Sequence, residues 1–414
     1  MTGLEATRNK QEKEAESSMS KSEHLFITPW FDTDESWAGF HIEFSGPDTA
    51  FAQALSRLAR HPALPTANPG RPWFIPALGP ESVAAAAAFA DQTVVFLLGP
   101  AEAPGAKERH DRLEADLRQA GARIGLVLGP KDPVPPAGAW RHVVLAASHA
   151  RTLPAQSLMA LATGTAIAVT GLRSRNDFVW ATANHCALVT GEYLLNRSSS
   201  SRKPDMLRTR LLKLLALIAA DADTREIEEI FRQEPKLAYS LLRLVNSAGM
   251  RPPAPITGFA QAIALLGRQQ LQRWLQLLVY ADPNGGHQPN PLLLQAATRG
   301  RLMEALAPGI QPPPETDKLL DAAFMTGAFS LLDTLLNLSM PEILQQLPLP
   351  AAVHAALKER TGSLGTLLTA LAAADNRDTA AAGLLLDSLG VDGDTFASAQ
   401  LSALAWASGI RAVT

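Results

Sequence analysis

From His24 to Leu195, short apolar runs alternate with stretches of helical pattern, and the runs read as β-strands. They are Leu25–Ile27, Gly39–Phe44, Trp73–Ile75, Thr93–Leu98, Arg123–Leu128, His142–Leu145, Thr165–Val169 and Ala187–Val189. Several are apolar at nearly every position, as strands covered on both faces must be. Helix-compatible segments separate most of them, at Pro80–Ala90, Ala106–Ala120 and Ser174–Ala183. This alternation predicts a parallel sheet, and about eight strands predict closure into a barrel. The connection through Pro133–Pro136 is too short for a full helix, so the barrel is expected to be irregular there.

The polar, serine-rich stretch Asn196–Pro204 reads as a linker. Beyond it the period becomes helical, beginning with the stripe Leu207, Leu211, Leu214, Leu215 and Ile218. Asp223 and Glu226 form a capping pair before Ile227, Ile230 and Phe231. Pro235 suits the first turn of a helix whose stripe is Leu237, Leu241, Leu244 and Val245, and Asn246-Ser247 closes it. Further helices are expected at Phe259–Leu265, Gln269–Tyr280, Leu292–Leu306, Lys318–Leu338, Pro350–Lys358, Ser363–Ala373 and Ala380–Leu389. No useful length alternates with period two, so this half reads as all-α. The plan is a tail at 1–23, a barrel at 24–196, a linker at 197–204 and a helical domain at 205–414.

A length of 414 residues exceeds one compact core and agrees with two domains. The formal net charge of −3 argues against a polyanionic partner such as DNA. Cys186 is the only cysteine, which excludes an intrachain disulfide and a thiolate metal cluster and suits a reducing compartment. No membrane span is expected, since the best candidate, Ala260–Tyr280, is broken by Arg268, Gln269, Gln270, Gln272 and Arg273. The first 23 residues lack the apolar core of a secretory signal and read as a disordered tail. These features together point to the cytoplasm.

Three spaced elements carry a family resemblance: Glu234–Leu237, Leu241–Ala248 and Gln261–Arg268, continuing through Gln270–Leu275. This half resembles the HDOD domain. Preceded by a strand–helix half, the chain is similar to the two-domain family that couples an EAL-type (β/α) barrel to an HDOD domain. The resemblance implies a barrel whose active relatives hydrolyse cyclic di-GMP, with two divalent metals held by carboxylates at the C-terminal ends of the strands. The expected carboxylates are missing along the chain, which makes the EAL-like barrel degenerate. His41 stands where the name-giving Glu belongs, with Glu43 two positions on and so on the same face. Phe96 takes the place of the next metal-binding Glu, and Gly125–Pro130 lacks the paired Asp, with Asp132 beyond it reading as a turn residue. Val143–Ala146 lacks the Lys, and Ala168–Gly171 lacks the last Glu.

HDOD domains resemble HD-type hydrolases, whose His-Asp pair binds metal. In the register set by Thr326-Gly327, Ser330 and Leu331 occupy that pair. His110-Asp111 lies in the first half on a solvated helix, and His287 and His354 are too isolated to form a site. Neither half is therefore expected to hold a metal or cofactor, and no catalytic residue is assigned. Arg243, Arg268 and Arg273, with Trp274, are the candidate interaction surface. The apolar face Leu271, Trp274, Leu275 and Leu278 is ringed by Arg268, Gln269, Gln272 and Arg273. As a recognition surface it would let Arg273→Glu change stability by no more than about 0.5 kcal/mol, whereas Trp274 is expected to be core. The reading is a non-catalytic regulatory scaffold for other signalling proteins. A catalytically dead cyclic di-GMP receptor is the alternative, and an active phosphodiesterase using Glu43 and Asp132 comes third.

Overall fold

The computed structural model describes residues 23–89, 92–100, 106–130, 132–196, 267–280 and 290–410, with isolated positions between 215 and 261. Eight strands close in sequence order into a barrel: β1 (Leu25–Phe31), β2 (Trp37–Phe44), β3 (Pro72–Pro76), β4 (Thr93–Leu98), β5 (Arg123–Val127), β6 (His142–Ala146), β7 (Ala166–Thr170) and β8 (Leu188–Thr190). Each coincides with a run expected from the sequence. β2 to β8 are parallel, but β1 is antiparallel to both β2 and β8, which corrects the all-parallel expectation. The reason is the length of the β1–β2 connection. A parallel pair needs a crossover of a dozen or so residues, whereas Asp32–Ser36 is a tight turn in which Asp32 Oδ1 accepts from the Asp34 and Ser36 amides, both at 2.9 Å.

Alternation along the strands sends two sets of side chains to opposite faces. Trp30, Phe74, Val95, Leu97, Val144 and Ala168 fill the barrel as a separate apolar cluster, with Trp30 stacked on Phe74 at 4.4 Å. Phe40, Ile42, Trp73, Ile75, Phe96, Leu98, Val143, Leu145, Ile167 and Val169 belong to the larger cluster that runs beneath the helices. Phe96 thus does not occupy an inward position; Val95 and Leu97 on either side of it do. A register error of one residue flips a side chain to the other face, and here both readings place an apolar group inside.

The surrounding helices are α1 (Asp48–Ala59), α2 (Leu64–Ala67), α3 (Pro80–Ala86), α4 (Ala106–Gln119), α5 (Ala147–Ala150), α6 (Ala155–Ala162) and α7 (Arg175–Ala183). No helix separates β5 from β6, as the prolines there require. Among the described residues the second half contains only helices: α8 (Arg268–Leu278), α9 (Pro291–Leu306), α10 (Leu319–Phe329), α11 (Leu332–Leu336), α12 (Met340–Leu344), α13 (Ala351–Lys358), α14 (Gly362–Asp375), α15 (Thr379–Ser388) and α16 (Gly393–Ser408). The single helix expected over Lys318–Leu338 is split into α10 and α11, because the Ser330 hydroxyl turns back to donate to the Gly327 carbonyl at 2.7 Å. Leu319–Leu336 is apolar enough by composition to cross a membrane, which the sequence reading did not single out, and 67% of it is buried in the fold. α9 and α10 lie close because Gly327 has no side chain; a Cβ there would sit 2.5 Å from the Arg299 carbonyl oxygen.

Asp223 Oδ1 accepts from the Arg225 amide at 3.1 Å, in keeping with a capping role. The tail, the linker, Leu207–Leu214, Asn246-Ser247, Arg243 and His287 lie outside the described residues.

α16 packs against β1, α1 and α2, so both halves contribute to one apolar core. The contact is specific in its polar groups. His24 Nε2 lies 2.8 Å from the Val391 carbonyl, the Ile27 amide donates to Gln400 Oε1 at 2.9 Å, and His61 Nε2 meets Ser398 Oγ at 2.8 Å.

Candidate functional site

The C-terminal ends of the strands open on a cavity of about 550 Å³, lined in part by Glu43, Ser148, Thr170, Arg173, Glu192 and Arg377. β2 supplies Glu43, and two residues earlier on the same face His41 sits below it with its Nδ1 4.0 Å from Glu43 Oε1. The sequence reading of these two as neighbours on one face is borne out. His41 is buried against Trp30, ring centroids 5.3 Å apart, and its Nδ1 has no hydrogen-bond partner. Burial drives its pKa down to about 4, with Glu43 pulling upward and Arg377 adding to the fall. The imidazole is therefore neutral near pH 7.

Glu43 is not a free carboxylate. Arg377, from the turn between α14 and α15, donates to its Oε1 from Nε at 2.9 Å and from Nη2 at 2.5 Å. Burial alone would raise Glu43, but His41, Arg377 and hydrogen bonds from Arg377 and Thr28 bring it below the usual carboxylate range. Glu192, just after β8, is the second buried acid of the mouth. Its Oε1 accepts from the Gly171 amide at 3.3 Å, its Oε2 has no hydrogen-bond partner, and burial pushes its pKa up.

This donor set does not fit the pair of divalent cations that the resemblance implies. Hard cations take six or more oxygen ligands, and the mouth offers two carboxylates, one of them neutralised by a guanidinium. Among the described residues no three His, Cys, Asp or Glu side chains are grouped to hold a metal ion. Asp132, the other carboxylate considered, is a turn residue as read from the sequence: its Oδ2 accepts from the Gly129 amide at 2.7 Å.

In the helical half a guanidinium again stands at the position of interest. Ser330 is buried at the end of α10, and Arg299 of α9 donates to its Oγ from Nη1 at 2.9 Å. Arg299 Nε donates to Asp375 Oδ2 at 2.7 Å, and Gln295 Nε2 to Asp375 Oδ1 at 2.8 Å. Leu331, the second residue of the pair, is buried among apolar groups.

Two members of the candidate interaction surface, Arg273 and Trp274, are buried. Leu271, Trp274, Leu275 and Leu278 are all buried, and Trp274 stacks on Trp406 with centroids 4.8 Å apart. Arg273 is buried too, paired with Glu304, 3.9 Å from Asp321, and set over the Phe324 ring at 5.7 Å. α9, α10 and Trp406 pack against this helix, so Trp274 is a core residue and Arg273 is held in an internal ion pair, which corrects their reading as a recognition surface. Arg268 opens α8, and Arg243 lies outside the described residues.

Other singled-out residues are structural. His110 and Asp111 are 3.9 Å apart on α4, with Asp111 well exposed. Cys186 is buried in the outer core, and burial raises its thiol to about 12, far from a nucleophile's range. The sequence reading missed Arg377 and Glu192. Asn376-Arg377-Asp378 between two helices looks like a surface turn, and the partner of Arg377 is 334 residues away.

Residues 204–306 match the HDOD domain family. The cyclic di-GMP phosphodiesterase CdgJ of Vibrio cholerae serotype O1 is 31% identical over 175 residues, covering 40% of this chain and 39% of its own length. YuxH of Bacillus subtilis strain 168 is 33% identical over 135 residues, 32% of each protein. The chain thus spans 39% and 32% of the lengths of these two relatives. Among solved structures, a standalone EAL protein from Vibrio cholerae O395 in its c-di-GMP-bound form aligns with 42% of this chain and 92% of its own, at 12% identity and a TM-score of 0.31. The EAL-like domain protein YdiV aligns with 41% and 90%, at 15% identity and a TM-score of 0.32.

Proposed function

We propose, starting from an HDOD domain at residues 204–306 joined to an eight-stranded barrel, that this chain is a non-catalytic signal-transduction protein of cyclic di-GMP-related regulation. It works in the cytoplasm by presenting a conformation to other signalling proteins. The observation that carries the reading is the content of the barrel mouth. Below it the barrel is filled by Trp30, Phe74, Val95, Leu97, Val144 and Ala168, the His41 imidazole is buried and neutral, and Glu43 is held by Arg377. Metal-dependent phosphodiester hydrolysis needs a convergent set of oxygen ligands and an activated water. Here the barrel interior is apolar, and one of the two carboxylates of the mouth is taken up by an internal ion pair. The relationship to CdgJ, named as a cyclic di-GMP phosphodiesterase, motivates the choice of ligand for the test.

A second reading, a receptor that binds cyclic di-GMP without cutting it, is favoured by the cavity of about 550 Å³ at the strand ends. Titration of the full chain with cyclic di-GMP, with and without magnesium or manganese, separates the readings. The scaffold gives neither heat of binding nor linear dinucleotide product. Binding without product selects the receptor, and metal-dependent product overturns both.

A further inference from the structure

Arg377 is the single residue between two helix caps. Asn376 ends α14, its Nδ2 donating to the Ala372 carbonyl at 2.8 Å, and Asp378 opens α15, its Oδ1 accepting from the Ala381 amide at 3.1 Å. Between them Arg377 adopts a left-handed backbone, φ +63°, unusual for a residue with a side chain. That strained geometry aims the guanidinium across to the barrel, where both Nε and Nη2 meet one oxygen of Glu43. The pair is shielded, with side-chain exposures of 23% and 16%, unlike the open Arg57–Asp394 contact between the same halves at 48% and 59%. Two positions earlier, at the end of α14, Asp375 holds the buried Arg299, which in turn holds Ser330.

We infer that Arg377 is a tethered plug: the helical half caps Glu43 at the barrel mouth with its own guanidinium, and the α14–α15 turn links that plug to the Arg299–Asp375 pair inside the helical half. The inference rests on the mouth being the regulated face of the barrel and names what regulates it. With the plug seated, Glu43 is neutralised. With it withdrawn, Glu43 and the buried Glu192 stay in the cavity without the guanidinium that held Glu43, and Asp375 loses the fixed turn that presents it to Arg299. Release of Glu43 and loosening of the α14 end are therefore one event.

The test is amide hydrogen exchange on the full chain, which needs no ligand and so is independent of whether cyclic di-GMP binds or is cut. In Arg377→Gln, the amides of Arg377 and Asp378, now held by the Ala374 and Ala373 carbonyls, and that of Gly171 in the mouth exchange about tenfold faster. Ser330, on the other side of Arg299, follows them, while the β4 and β5 amides keep their protection. Glu43→Gln gives the same pattern, and the double variant adds nothing to it. If Arg377→Gln fails to fold, Arg377→Lys, which keeps the charge and loses the fork, shows the same pattern at about threefold. Unchanged exchange at Gly171 overturns the plug. Faster exchange in the mouth with Ser330 unmoved overturns the link to Arg299.

Discussion

His41 stays neutral in the fold down to about pH 4, whereas an unfolded chain protonates it near its ordinary value of 6.5. Below 6.5 the unfolded state takes up a proton that the folded state refuses, so the stability present above 6.5 drains away as pH falls toward 4. Between pH 7 and pH 5 this amounts to about 2 kcal/mol. Urea unfolding at the two pH values should show that loss, and His41→Gln should show a drop smaller by about that amount. An equal drop in the variant would mean that Glu43 outweighs burial and keeps the imidazole near its ordinary value. Arg273 makes a second prediction at this scale. Arg273→Glu would place a carboxylate against Glu304 and Asp321 in a buried site and cost about 3–5 kcal/mol, not the half kilocalorie expected of a surface residue. Trp274→Ala, with the ring fully buried on Trp406, should cost a similar roughly 3–5 kcal/mol. Denaturation midpoints measure both, and a near-neutral Arg273→Glu would return that residue to the surface.

Among the described elements, α16 does most to join the halves, and its bounds were not read from the sequence. Its signals are local but weak. Asp392 caps it by accepting from the Thr395 amide at 2.8 Å, and Phe396, Leu401 and Leu404 turn to the core. An alanine-rich helix with small residues on most faces has a poor polar–apolar contrast, so periodicity alone does not delimit it. Gln400 is the residue to probe. Its Oε1 accepts from the Ile27 amide at the start of β1, so Gln400→Ala leaves a buried N–H without a partner. The expected cost is about 1–3 kcal/mol, read by chemical denaturation. Asp392→Ala should cost about 1 kcal/mol by losing the cap alone. If the two changes cost the same, the Gln400–Ile27 bond contributes nothing beyond helix stability.

At the scale of the whole molecule, one apolar core spans both halves. Two domains joined only by a linker would unfold independently; two that bury α16 against β1, α1 and α2 should unfold together. Calorimetry should show a single transition whose van't Hoff and calorimetric enthalpies agree. A chain cut at a protease site inserted between residues 200 and 201 should elute as one species, held by the α16 contact. Two transitions, or two separated fragments, would overturn the shared core.

The strand–helix alternation determined by itself where all eight strands lie and that they close into a barrel, because buried strands must be apolar at nearly every position. It also placed His41 and Glu43 on one face, since the strand period is two. Tertiary structure alone decided that Arg273 is internal and that Arg377 reaches Glu43. Each of these depends on a partner far along the chain: Glu304 and Asp321 lie on other helices, and Glu43 lies in the other half. A charge written in the sequence carries no mark of whether water or a carboxylate will meet it; only packing brings the counter-charge and removes the water.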